Sequence, residues 1–328
     1  MFGTDVSTAR TATEAIEMSK LDWDVEMTQL FARAPVGPVY RGFMPVKNMF
    51  GTQRTDTGLV MSAQSERFRP LQNRDVFSFF DEVKAKRGAE YRLAGQLKGG
   101  RVVFLTAQLP GELNFNGDVV HKYIVMLNGH DGSTGFNVVT SPIRPICENT
   151  LYAAAYTGDS IIRAMHTTNI EHRVRAARKS IMNADSYFQA FSADAQAMVE
   201  TPIDQWGLEL YARHVFTLGQ KEESEMTDRA KTPLVETRRL FREGRGNKGE
   251  SQWDAYNAVT EFIDHVRPPK GRLDDVGVQS AALNQARTEN SLIGNGVALR
   301  QRAWNTLNNW DAEYATLERK WEEANATQ

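Results

Sequence analysis

The stretch from Val119 to Ala155 constrains the fold more than any other part of the chain, because dense β signal changes abruptly there to helical signal. Val119–Leu127 and Phe136–Thr140 are rich in β-branched and aromatic residues. Between them NGHDGSTG carries Asn-Gly and Asp-Gly dipeptides, which tolerate the positive φ of tight turns, so the two runs are expected to form a hairpin. Pro142 and Pro145 then hold the backbone extended, and a helix is expected only after them, from about Cys147.

Upstream, EYRLAGQLKGGRVVFLTAQLP gives two more β-rich runs split by Lys98-Gly99-Gly100. Four consecutive strands with short connections, followed by helix, predict an antiparallel β-meander packed on helices, an α+β fold. Before it, the sequence predicts one amphipathic helix over Thr13–Phe31, extended or turned backbone from Pro35 to Met49, and one or two short strands. A helix over Val76–Lys86 follows, capped by Asn73 or Asp75, with Val76, Phe79, Phe80 and Val83 on one face. Helix is expected again from Asp159 or Ser160 to about Met182. Beyond Ala184 only helices are predicted, over 184–199, 204–218, 221–242, 251–265 and 297–324. The organisation is therefore an N-terminal helix and arm (1–54), an α+β core (55–182) and a mainly helical C-terminal region (183–328).

With 328 residues, 41% of them apolar, the chain can bury a sizeable core. No apolar run approaches the roughly 18 residues of a membrane span, and the N-terminus lacks a basic start followed by an apolar stretch. A cytoplasmic location in a bacterial host cell, with no membrane partner, is expected. Cys147 is the single cysteine, which excludes an internal disulfide and a thiolate-based zinc site. Net charge is −2, but its distribution is uneven: residues 31–101 hold 13 basic and 6 acidic side chains, and residues 183–328 hold 17 and 23. Such polarity points to an anionic partner.

Five runs, taken in order, resemble one known family: SERFRPLQNRDVFSFFDEV, AGQLKGGRVVF, MLNGHDGSTGFNVVTSPIRPICENTLYAA, His166-Thr167 followed by EHRVRAA, and QWDAYNAVTEFIDHV. Over about residues 55–266 the chain is similar to the phage/plasmid-like protein family, whose shared domain is of unknown function. Arg144, Cys147, Asn149, Thr150 and Leu151 correspond to its turn-to-helix signature, and Trp253, Asn257, Asp264 and His265 to a later helical one. The resemblance implies origin in a phage, plasmid or integrated element and assigns no reaction or cofactor. In order of elements and in charge, the β-meander followed by a basic helix also resembles phage single-strand annealing proteins of the RecT and Erf types, which implies a ring or filament holding DNA in a basic groove.

Single-stranded DNA is held by cations for its phosphates and aromatic faces for its bases. The expected phosphate contacts are Arg67, Arg69, Arg74, Lys84, Lys86 and Arg87, extended by Arg144, Arg173, Arg175, Arg178 and Lys179; Phe68 and Tyr91 are the expected stacking rings. Arg41, Lys47, Arg54, Phe43 and Phe50 belong to the same basic and aromatic stretch. Trp304 and Trp310, in a helical aromatic stripe, are candidate contacts of a homo-oligomer. The function expected is single-stranded DNA binding or annealing in recombination or replication, without catalysis or cofactor. Two readings stand beside it. One is a protein-interaction factor that targets a host protein. The other is a metal-dependent nuclease, with His166 and Asp159 or His130 and Asp131 meeting a distant carboxylate. Cys147 beside His166 is a further, weaker nucleophile pairing, and the glycine-rich EGRGNKGES (243–251) lacks the ending of a phosphate-binding P-loop.

Overall fold

The structure, a computed structural model, describes residues 3–33, 42–143, 161–166, 184–267, 285–287, 289–290 and 292–326. Strand β1 (Thr4–Asp5) leads into helix α1 (Ala12–Ser19). The Thr11 hydroxyl accepts the Glu14 N–H, and the Glu14 carboxylate accepts the Arg10 N–H. One orphan donor of the first turn is thus satisfied, and the residue before the cap is tied back to the helix. Lys20, at φ 55°, ends the helix. The single helix expected over Thr13–Phe31 therefore stops after two turns, and Val25–Arg33 is strand β2. It pairs antiparallel with β3 (Phe43–Arg54), which pairs with β4 (Val60–Ser65) in a three-stranded sheet. The run VEMTQLF satisfies helical and strand spacing about equally, and a long partner strand decides the outcome.

The helix expected over Val76–Lys86 is two helices, α2 (Asn73–Phe77) and α3 (Phe79–Arg87), joined at Ser78. Neither proposed residue caps it: Gln72 occupies the cap position without a side-chain bond. The Asn73 amide instead donates to the Leu21 and Trp23 carbonyls. The apolar face is as expected, with Val76, Phe79, Phe80 and Val83 buried. Strands β5 (Glu90–Leu97), β6 (Val102–Phe115), β7 (Asp118–Gly129) and β8 (Phe136–Ile143) follow as the antiparallel meander. With β9 (Ile161–Ala164) they form a six-stranded sheet of order β1-β5-β6-β7-β8-β9. Strand β9 takes the place of the beginning of the helix expected from Asp159 or Ser160, pairing Ile161 with Val139 and Ile162 with Val138. The helix expected from Cys147 lies outside the described residues.

Alternation along the strands sends side chains to two cores. Val103, Leu105, Ile124, Met126 and Val138 pack with α1, α2 and α3, while Val102, Phe104, Val125, Leu127 and Val139 pack on the other face with Leu292. The tip of the β6–β7 hairpin, Asn116-Gly117 with both φ positive, carries Phe115 and Val120 into a third, helical core.

That third core is built by α4 (Ala184–Glu200), α5 (Gln205–Phe216), α6 (Asp228–Glu243), α7 (Gln252–Glu261), α8 (Asn295–Asn308) and α9 (Trp310–Asn325). A single turn of wider π-type winding, Phe262–Val266, continues α7. The helix expected over 297–324 is α8 and α9, broken at Asn309. Asp264 and Arg300 form an ion pair buried on both sides. The fold is α+β with antiparallel sheets in the first half and mainly helix in the second, as the order of sequence signals predicts.

Candidate nucleic-acid interface

The six expected cations among the described residues lie on three elements, and Lys86 and Arg87 are ion-paired within the fold. On α3, Lys86 pairs with Glu82 one turn away, and Arg87 pairs with Asp185 at the start of α4. Lys84 donates to the Ala9 carbonyl at 3.1 Å and lies 5.0 Å from the centre of the Tyr91 ring. Arg74 on α2 reaches the Asp22 carbonyl. In the loop after β4, Arg69 donates to the Glu66 and Phe68 carbonyls, while Arg67 is exposed. Arg144, Arg173, Arg175, Arg178 and Lys179 lie outside the described residues.

The proposed rings are corrected by burial. Tyr91 is 1% exposed, its hydroxyl donating to Asp81 at 2.7 Å, so it presents no face on which a base could stack. Burial, reinforced by that carboxylate, raises its pKa far above the usual phenol value. Phe68 is also buried, stacked on His166 with ring centres 5.1 Å apart. Trp304 is 2% exposed and lies parallel to Phe191 at 4.9 Å in the helical core, which makes it a folding residue and not an oligomer contact. Trp310 is half-buried against Tyr211 and Tyr314.

What the structure does gather is the far end of the β2–β3 arm. Arg33 lies opposite Phe43, Ala32 opposite Met44, and Phe31 opposite Pro45. Directly opposed residues share a face, and alternate residues along a strand share it too. Phe31, Arg33, Phe43 and Pro45 therefore stand together on one face, with Ala32 and Met44 on the other. Phe43 is 76% exposed, Phe31 58% and Met44 40%. The register shifts between Gln29 and Phe31, and the Gln29 amide bridges the irregularity by donating to the Leu30, Val46 and Met49 carbonyls. Such a bulge re-aims a strand. Below it the arm is close-packed: Gly51 and Thr52 are buried, and a Cβ at Gly51 would come within 2.9 Å of Val60. Phe43 and Lys47 belong to the basic, aromatic stretch of the sequence; Phe31 was missed because it read as the end of a helix, and Arg33 was not singled out. Arg41 lies outside the described residues.

The histidines singled out for metal chemistry are enclosed. His130 Nε2 meets the Asn73 side-chain oxygen at 3.0 Å, and burial, with His166 nearby, pushes its pKa down to about 3. His166 Nδ1 meets the Arg69 carbonyl at 3.2 Å, and its pKa is likewise lowered by burial. Asp131 is used within its own turn, accepting from Ser133 and Thr134. No three His, Cys, Asp or Glu side chains among the described residues are grouped to hold a metal ion. Asp159 and Cys147 lie outside those residues.

Strand β4 through most of α8 is thus an antiparallel sheet joined to a helical bundle, and this span carries the relationship to known proteins. Residues 60–304 match the family described as Domain of unknown function (DUF932), and the chain belongs to that family. No curated protein and no solved structure matches the chain. Among the described residues no helix is long and apolar enough to cross a membrane. Strands β2 and β3, and with them the exposed arm, precede the matched span.

Proposed function

We propose that the chain is a single-stranded DNA-binding protein of a phage or other mobile element, acting in recombination or replication, and that it engages the strand through the β2–β3 arm. One observation carries this reading: two aromatic rings, Phe31 and Phe43, stand exposed beside Arg33 at the end of a strand pair whose base is firmly packed. A base can stack on either ring, and Arg33 and Lys47 supply charge for phosphates. The resemblance to phage/plasmid-like proteins supports the mobile-element setting. The order of elements, an antiparallel meander followed by helix, supports the comparison with annealing proteins and their ring or filament assemblies.

The test is binding to a labelled single-stranded oligonucleotide across a salt series. Affinity should fall steeply as salt rises. Phe31→Ala with Phe43→Ala should weaken binding by about tenfold or more, because one stacked base is worth roughly 1–3 kcal/mol. Unchanged affinity in the double variant would overturn the arm's role. The same exposed Phe43 and Met44 also fit a second reading, docking of a host protein on an apolar arm. That reading predicts no binding to DNA at low salt.

A further inference from the structure

The register of the β2–β3 arm sets four side chains at the corners of one small quadrilateral. Phe31 lies directly opposite Pro45, Arg33 lies directly opposite Phe43, and all four share a face. The two rings therefore occupy opposite corners. Across an antiparallel pair such a diagonal measures about 7–8 Å. Carbon atoms in contact pack best at about 3.5–4.0 Å. A diagonal of twice that length is too long for the rings to stack on each other and matches one flat ring inserted between them. Both rings are exposed, and neither touches another aromatic side chain among the described residues.

The other two corners suit the rest of a nucleotide. Arg33 is exposed and forms no ion pair among the described residues, so its guanidinium is open to a phosphate. Pro45, also exposed, borders the gap with an apolar ring. Below the quadrilateral the Gln29 amide donates to the Leu30, Val46 and Met49 carbonyls at 3.0, 2.9 and 3.4 Å. Those bonds fix the bulge from which the tip projects, so the spacing of the rings exists before any ligand arrives, which lowers the cost of binding.

Resting on the single-stranded DNA reading, we propose that Phe31 and Phe43 clamp one unstacked base between them while Arg33 takes an adjoining phosphate. A base in a stacked run has its faces covered by its neighbours. A base splayed out of the run has both faces free, and the two rings cover both. The unit recognised by the arm is thus a single unpaired nucleotide, held from two sides.

The test uses the full chain at low salt and three dodecamers of abasic backbone carrying no base, one central adenine or two adjacent adenines. A shared base predicts a rise in affinity of about tenfold from none to one and little further rise from one to two, whereas two separate stacking sites predict two equal rises. A double-mutant cycle on an ordinary single-stranded dodecamer gives an independent measure. Phe31→Ala and Phe43→Ala should each lose nearly as much affinity as the pair, so that the double loss falls at least about threefold short of the product of the single losses. Losses that multiply to within about twofold, or a second adenine worth as much as the first, would overturn the clamp and leave the DNA reading standing. Failure to bind the ordinary dodecamer at all would remove that reading and the clamp with it. The variants, at exposed positions, should unfold at the native temperature; a coupling of the two substitutions in thermal unfolding would mean that the rings act on each other, and would also overturn the clamp.

Discussion

His130 shows at the scale of one residue how burial becomes a pH dependence. Its ring is enclosed, edge-on to Trp23 at 5.3 Å between centres, with Asn73 as its hydrogen-bonding partner. In the unfolded chain it takes up a proton near pH 6.5, whereas in the fold it stays neutral down to about pH 3. The unfolded state therefore binds more protons between those values, and stability falls as pH drops through that window. The slope due to His130 is about 1.4 kcal/mol per pH unit at most. Urea unfolding at pH 7.5, 6.5, 5.5 and 4.5 should show a decline that is shallower in His130→Gln by about that amount. Equal slopes in the two proteins would mean that His130 carries a proton in the fold. His166, lowered in the same direction by burial, adds to the decline.

At the scale of elements, the aromatic stripe of the last helices closes a core, and its energetics follow from that. Trp304 lies between Phe191 and Tyr256, and Leu307 is buried alongside. Trp304→Ala should cost about 3–5 kcal/mol, the usual range for a large aromatic removed from a core. Trp304→Phe should cost less and leave the sedimentation profile as it is in the native chain. A dissociation caused by Trp304→Phe without loss of stability would restore the assembly role. The sequence could show that Trp304 recurs at helical spacing, but spacing does not say whether the partner is another helix of the same chain or of a second copy. The meander was legible because its strands are bounded by local turn chemistry, as at Lys98-Gly99-Gly100 and in NGHDGSTG over 128–135. Strand β2 was not, because its pairing partner begins only at Phe43 and because Met27 and Phe31 fit either period. Strand β9 was masked in the same way, its four residues gaining their conformation from β8. The glycine-rich 243–251 segment is held by the helix that follows it, where Asp254 gathers three of its N–H groups.

Across the whole molecule, folding neutralises part of the positive excess in residues 31–101. Of those 13 basic side chains, Arg54, Lys86, Arg87, Arg92 and Lys98 each lie within ion-pair distance of a carboxylate. Arg87 finds its partner 98 residues away, on a helix of the acidic half, which no count of charge along the sequence could anticipate. Composition reports how many cations a segment has, and only the fold decides which of them still face outward without an internal anion. That difference separates two versions of the DNA reading. If the strand followed the α3 face, Lys86→Ala with Arg87→Ala would reduce affinity strongly and flatten the salt slope by about two contacts. If it is held by the arm, as the exposure of Phe31 and Phe43 favours, that pair of changes leaves affinity within about twofold, since both charges are already paired within the fold. Arg33→Ala with Lys47→Ala should instead flatten the slope by about two. Measuring the dissociation constants of the native chain and the two double variants at three salt concentrations separates the versions. A slope that responds to Lys86 and Arg87 but not to Arg33 and Lys47 would place the strand on α3 and leave the arm to a protein partner.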